Sequence, residues 1–249
     1  MTDKVFHYCS TDTFQKIIFN GSLRLSALSM SNDSAEGNWI HTMLLRVIAS
    51  DFGNDENLIS AAGFAILGNT SFLGLGVCFS SEPDLLSQWR GYADDGFGMC
   101  IGFDREKLAS IVGDEAELFA VEYNMERQKE ILRDEIRTVV ATVDLNEPLG
   151  VHTRFSSTFN PMRYRMKNPS FSEEKEWRII SRRQDPKQAR ATRDRLIPYL
   201  DLELLKEHGL ITDILLGPKN TSDVGAVCQF VASHGYTGFG ANRSRLTYR

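Results

Sequence analysis

The sequence predicts an α+β fold on a split, mainly antiparallel β-sheet with flanking helices, and three observations predict it. Stretches of strand period and of helix period are mixed without the regular strand–helix–strand repeat that builds a parallel sheet. No GxGxxG follows a strand and no Gly-Lys-Thr or Gly-Lys-Ser loop occurs, which argues against doubly wound dinucleotide-binding and P-loop folds. The 249 residues, 42% hydrophobic and 24% charged, suffice for a sizeable core. We expect a single domain over 1–249, with a helical insertion at about 33–68 and a less distinctive C-terminal part from about 181.

The elements follow in order. "KVFHYCS" is β-rich and ends in Ser10-Thr11-Asp12, good N-cap residues for the helix "FQKIIFNG", which stops at Gly21. In "SLRLSALSM" Leu23, Leu25 and Ala27 alternate with Ser22, Arg24 and Ser26, so Arg24 and Ser26 share the polar face of a half-buried strand. From Asn32 to about Leu67 the pattern is helical, broken by Gly53-Asn54-Asp55. "FLGLGVCFS" reads as a strand, "EPDLLSQWRGY" as a short helix started by Pro83, and "GFGMCIGF" and "AELFAVEY" as strands. "NMERQKEILRDEIRTVVATV" is the longest helix, followed by a loop at "NEPLG" and a helical turn at "PMRYRMKN". "EKEWRIIS", "RLIPYLDL", "LITDILLG" and a terminal "SRLTYR" read as strands, and "NTSDVGAVCQFVASHG" as a capped helix.

A net charge of −5 excludes a surface that is basic all over, so contact with nucleic acid has to come from a local patch. Residues 181–195 form one, with Arg182, Arg183, Lys187, Arg190, Arg193 and Arg195 against Asp185 and Asp194; a solvated loop and a phosphate-binding surface both fit it. No apolar run reaches the roughly 20 residues that span a bilayer, and no signal peptide opens the chain, so the expected location is cytoplasmic, with no membrane partner. Cys9, Cys78, Cys100 and Cys228 are scattered, as buried thiols of a reducing compartment are. The five histidines have no metal-ligand spacing with them, so no metal is expected.

Three groups of residues have the chemistry of a site. In "FSEEKEWRII", a strand from Glu174 would place Glu174, Glu176 and Arg178 on one face and Trp177 on the other. Paired carboxylates raise one another's proton affinity and an arginine offsets this, so the group fits acid–base work at a ribose and equally a solvated charged face. His7, with Tyr8, lies in the first strand as a core residue or a binding group. Trp89 and Tyr92, three apart in a short helix, fit a shared face that stacks on a flat ligand, or the core.

Taken in order, "HYCSTDTFQKIIFNGSLRLSALSMSNDSAE", "GVCFSSEPDLLSQWRGYADDGFGMCIGF" and "FSEEKEWRII" resemble the bacterial family filed as Domain of Unknown Function 2971, over residues 6 to about 180. That family is in turn similar to the ADP-ribosyltransferase-like superfamily, with its histidine in an early strand, an aromatic or serine in a middle strand, and a late glutamate. The resemblance implies NAD as substrate, Glu176 holding the nicotinamide ribose, Glu174 on the acceptor side, and His7 as the early histidine. It implies Tyr8, Arg24, Ser26, Ser80, Trp89, Tyr92 and Arg178 as cofactor-binding residues, converging with His7 and Glu176 on one cleft. Cys78 departs from it, standing where the pattern has tyrosine.

Two functions of different class stay open. One is an enzyme that cleaves NAD and passes ADP-ribose to a protein or nucleic acid, or to water, as toxins and phage-defence effectors among the relatives do. The other is a non-catalytic module that binds a nucleotide or nucleic acid through the cleft and segment 181–195. A metal-dependent nuclease is weaker, because no aspartate cluster accompanies the glutamates.

Overall fold

Ser10 and Gly21 bracket the first helix as their chemistry requires. β1 (Lys4–Cys9) ends at Ser10, whose hydroxyl accepts from Thr13 N–H at 3.1 Å and starts α1 (Thr11–Asn20). Gly21 closes it with φ 64°, its N–H donating to the Ile17 carbonyl at 2.9 Å, and β2 (Ser22–Ala27) follows. The computed structural model describes residues 3–30, 37–68 and 72–248, so the first residues of the helical stretch expected from Asn32 lie outside it. Within it come α2 (Trp39–Asp51), α3 (Glu56–Gly63) and a π-helical turn at Phe64–Gly68.

β3 (Leu75–Ser80), α4 (Leu86–Tyr92), β4 (Met99–Asp104), β5 (Ala116–Ala120) and α6 (Met125–Val140) follow the sequence pattern, with α5 (Arg105–Val112) added between the last two strands. α4 does not begin at Pro83: Tyr8 Oη donates to the Glu82 carbonyl and accepts from Leu85 N–H, which holds that segment extended. α5 is capped by Asp104, which accepts from Lys107 N–H at 3.0 Å, and α7 (Pro148–Phe159) begins on its proline where a loop was expected. β6 (Glu176–Ser181) starts two residues later than "EKEWRIIS" suggests. β7 (Gln188–Ala191) has no apolar alternation because every residue of it is exposed. β8 (Leu196–Glu203), β9 (Ile211–Leu216) and α8 (Val224–Ser233, capped by Asp223) match expectation. The last strand is β10 (Gly240–Arg243) rather than "SRLTYR", because Asp84 draws the following segment away, accepting from Ser244 Oγ at 2.6 Å and Arg245 N–H at 2.8 Å.

The ten strands among the described residues form one mixed, mostly antiparallel sheet in the order β10-β9-β4-β1-β3-β2-β8-β7, with β6 paired to β3 and β5 paired to β6. The α+β class and the mainly antiparallel sheet are therefore as expected. β10 alone runs parallel to its neighbour among these strands. The split is at β3. Its Gly76 pairs with Ser26 of β2 and its Ser80 with Phe6 of β1, while β6 takes the whole opposite edge from Gly76 to Ser80. One edge of β3 is thus divided between two strands, and a slot opens between them beside Val77, Cys78 and Phe79.

One core packs α1, α5 and α8 against the sheet through Phe14, Ile18, Leu108, Val231 and the inward residues of the strands. A second joins α2 and α3 to α6 and α7 through Leu44, Ile48, Ile136 and Phe155, so the helical layer is built from two stretches of chain rather than from 33–68 alone. Tyr164, fully buried, lies under the start of β3, where Gly74 has φ 62° and a Cβ would come within 2.0 Å of the tyrosine ring. Gly74→Ala is therefore predicted to cost roughly 2–4 kcal/mol, from the left-handed backbone and overpacking together, read as a lowered urea midpoint with unchanged slope.

Candidate functional site

Side chains alternate along β3 and its neighbours, so the pairing register assigns each to a face. Cys78 and Ser80 share a face with Arg178 and Glu176, their partners on β6, and with Phe6, the partner of Ser80 on β1. Tyr8 is on that face as well; His7 and Phe79 point to the other, where their rings meet edge to face at 5.7 Å. Trp177 and Ile179 pack in the main core on the His7 side, as the alternation predicts.

On the first face lies a charge cluster. Arg178, 1% exposed, grips Glu176 with two parallel bonds, Nε to Oε1 and Nη2 to Oε2, both 2.8 Å, and donates to the Tyr164 carbonyl at 3.2 Å. Lys167 Nζ bridges the two glutamates, at 2.6 Å from Glu174 Oε2 and 3.3 Å from Glu176 Oε2. Tyr92 Oη donates to Glu174 Oε1 at 3.3 Å, and Tyr123 Oη accepts from Glu176 N–H at 3.4 Å. Burial alone pushes the Glu176 carboxyl up; Arg178 first, then Lys167 and a hydrogen bond from the Cys78 thiol, outweigh it and hold it below the usual carboxylate value. Burial also raises the Tyr92 and Tyr123 phenols, which stay protonated donors.

Glu174 joins this cluster by a different route from the strand alternation expected of it. It ends a 3₁₀ turn (Pro169–Glu174), and Lys175 takes a left-handed φ of 46° before β6 begins at Glu176. The kink is fixed where the Glu174 carbonyl accepts from Ser80 Oγ at 2.7 Å and the Lys175 carbonyl from Ser81 N–H at 3.0 Å. Of the two glutamates, Glu174 is slightly the more exposed, its side chain 14% against 8%, and the exposed rings of Tyr92 and of Phe171, the latter 5.0 Å from Lys167 Nζ, flank it.

His7 sits in the slot instead. At the gap between β1 and β2, His7 Nδ1–H donates to the Cys78 carbonyl at 2.9 Å. A carbonyl only accepts, so Nδ1 carries the proton and Nε2 is an acceptor; burial lowers the imidazole pKa and keeps the ring neutral at pH 7. The slot holds a cavity of about 470 Å³ lined by His7, Lys16, Arg24, Ser26, Cys78 and Asp201 among others. Arg24 pairs with Asp201 at 3.6 Å and lies 3.7 Å over the Tyr199 ring. Cys78 joins the two places, with its carbonyl on His7 and its thiol on Glu176.

The sequence-derived site residues therefore divide. Glu174, Glu176, Ser80, Tyr92 and Arg178 come together; His7, Arg24 and Ser26 line the slot; and His7 does not face Glu176, because one residue of register puts it through the sheet. Tyr8 and Trp89 belong to the core: their rings meet at 4.9 Å, Trp89 is fully buried, and its Nε1–H donates to Asp84 at 2.7 Å. Trp89 and Tyr92 thus do not share an exposed face. Lys167, Tyr123 and Phe171 escaped the sequence pattern. The one available signal for Lys167 was a basic run, Arg163-Arg165-Lys167, inside a segment that also supplies buried Tyr164 and Met166. No group of His, Cys, Asp and Glu suited to a metal occurs among the described residues, and none of their helices is long and apolar enough to cross a membrane.

Residues 88–179 match the model of a family described as a protein of unknown function, DUF2971. That stretch runs from α4 into β6 and carries Tyr92, Lys167, Glu174, Glu176 and Arg178, but not His7 or Arg24. No curated protein and no solved structure matches the chain.

Glu176→Gln is predicted to destabilise the protein by roughly 3–5 kcal/mol at pH 7, because it strands a buried guanidinium. A carboxyl whose folded pKa lies below its unfolded one stabilises above the unfolded value, about 4.3, and loses this as pH falls through the folded value. Urea titrations from pH 6 to pH 3 are accordingly expected to fall less steeply for Glu176→Gln than for wild type.

Proposed function

We propose that the protein is an ADP-ribosyltransferase-like enzyme that cleaves the nicotinamide–ribose bond of NAD and passes ADP-ribose to a macromolecule or to water, in the bacterial cytoplasm and as an effector in conflict with phage or competitors. The observation that carries this is the division of one edge of β3 between β1 and β2, which sets a polar slot one strand away from paired glutamates. Breaking the glycosidic bond builds positive charge on the ribose, and a fixed carboxylate stabilises that charge. Glu174, which no arginine among the described residues grips and which has the exposed rings of Tyr92 and Phe171 beside it, is the carboxylate that does this. Glu176, held on both oxygens, fixes Lys167 and hence Glu174, and acts as a positioning residue. In the slot, His7 Nε2 accepts from a ribose hydroxyl and Arg24, on leaving Asp201, binds the pyrophosphate.

A second proposal, a nucleotide-binding module without catalysis, has its own support: the oxygens of Glu176 are taken by Arg178 and Lys167, and cysteine replaces the stacking tyrosine at Cys78. Labelled NAD incubated with cell extract separates the two. Nicotinamide release by wild type, lowered on the order of 10²-fold or more in Glu174→Gln, is the result expected of the enzyme. Tight nucleotide binding with no release in any extract leaves the binding module.

A further inference from the structure

Although the chain is acidic overall, six of the residues between Ser181 and Arg195 are basic and two acidic. Both acids are used locally, Asp185 by Arg183 at 3.4 Å and Asp194 by Arg195 at 2.9 Å. Arg182, Lys187, Arg190 and Arg193 have no carboxylate partner among the described residues, and all four are exposed. Lys187, Arg190 and Arg193 lie on and beside the hairpin of β7 and β8 at one end of the sheet, where β7 presents its whole length to solvent, whereas Arg182 follows β6, its N–H on the Glu115 carbonyl, and lines a separate cavity with Glu117 and Phe119.

The hairpin is also continuous with the slot. A second cavity, of about 500 Å³, lies under it between Lys187 and Asn20, and its walls share Asn20, Ser22 and Asp201 with the slot cavity. Arg190 lines the slot cavity itself. A groove thus runs from the unpaired cations of the rim to the floor beside His7. Its floor carries Asp201, which Arg24 neutralises, and Glu203, so the attraction for an anion is on the rim and not along the bottom.

We propose that this hairpin and groove bind the phosphate backbone of single-stranded nucleic acid, and that nucleic acid is the macromolecule to which ADP-ribose is passed. The second half rests on the enzyme proposed above; the binding does not. Spaced cations at a groove mouth hold a polyanion by releasing its counterions. A single strand is preferred to a duplex because its bases and ends are free to turn into the slot, whereas stacked and paired ones are not. In the transfer, the ribose C1′–nicotinamide bond breaks, the pair leaving with nicotinamide. A base nitrogen or a terminal oxygen of the strand forms the new bond to C1′ and gives up its proton to a carboxylate or water.

The test is fluorescence anisotropy with a labelled 20-nucleotide single strand and the duplex of the same sequence, at 50 and 200 mM NaCl. Wild type is expected to bind the single strand and to lose roughly 20-fold in affinity over that range, the slope of about three phosphate contacts. The exposed triple variant Lys187→Glu/Arg190→Glu/Arg193→Glu is expected to bind at least 10-fold more weakly at 50 mM, with its urea midpoint unchanged. Absence of binding by wild type, binding without salt dependence, an unaffected triple variant, a duplex bound as tightly as the single strand, or poly-glutamate bound as tightly as either overturns the proposal. Nicotinamide release, measured on the same samples with the strand, without it and with cell extract, reports on the enzyme separately. Release without strand binding removes this proposal alone, and strand binding without release removes the enzyme and the transfer step while the binding stands.

Discussion

A strand has two edges, and β3 has three neighbours. β6 takes one edge in full, so β1 and β2 have to share the other, and between the pairings at Gly76 and Ser80 it is the His7 ring that meets the Cys78 carbonyl. A buried unpaired carbonyl costs about as much as a lost hydrogen bond, and His7 removes that cost by donating to Cys78. The slot is the space between β1 and β2 along this edge, and His7, Arg24, Ser26 and Cys78 line it. Arg24, Ser26 and the cavity follow from that spacing. So does the position of Cys78, with one polar group on each side of the strand.

The charge cluster on the opposite side of His7 is built under a different constraint. Desolvating an ion pair is expensive, and the Coulombic return offsets it only with good geometry and with every remaining donor satisfied. Arg178 uses each of its three nitrogens, Nε and Nη2 in the paired bonds to Glu176 and Nη1 on the Tyr164 carbonyl. Lys167 then carries a second positive charge to the outer glutamate, so that two carboxylates and two cations stand in one network. Such a network contributes little net stability relative to an apolar core. What it supplies is a fixed direction for Glu174, whose two oxygens are held by Lys167 and Tyr92 at the protein surface.

Much of this frame was legible in the sequence where local chemistry decides structure. Ser10 and Gly21 bound α1, and the alternation of β2 placed Arg24 and Ser26 together, because caps and half-buried strands depend on residues close in the chain. β7 was not legible, since an exposed edge strand needs no apolar partner, nor α7, whose Pro148 looks the same at a helix start as in a loop. In the site, the pairing of Glu174 with Glu176 was foreseen and its cause was not. Lys175 carries no mark of a left-handed residue; the conformation is imposed by the hydrogen bonds from Ser80 and Ser81, distant in sequence. Trp89 and Tyr92 were separated by the same kind of distant contact, Asp84 drawing the indole inward.

The register of β1 bears most directly on chemistry. A strand reverses its faces with every residue, so the pairing of Phe6 with Ser80 sends Tyr8 to the cluster side, where Trp89 covers it, and His7 to the slot. Arg24 and Ser26, by the pairing of Ser26 with Gly76, share the face of Cys78, Arg178 and Glu176, so of His7, Arg24 and Ser26 it is His7 that reaches the slot from the other face, through the gap between β1 and β2. On the function proposed, a ligand that meets Arg24 and Glu174 lies along one face past Cys78. The dinucleotide proposed as substrate is extended in this way, two nucleosides joined by a flexible pyrophosphate. The link between His7 and the charge cluster is a strand residue, Cys78, whose carbonyl meets the imidazole and whose thiol meets Glu176, so the spacing of the two is fixed by the sheet.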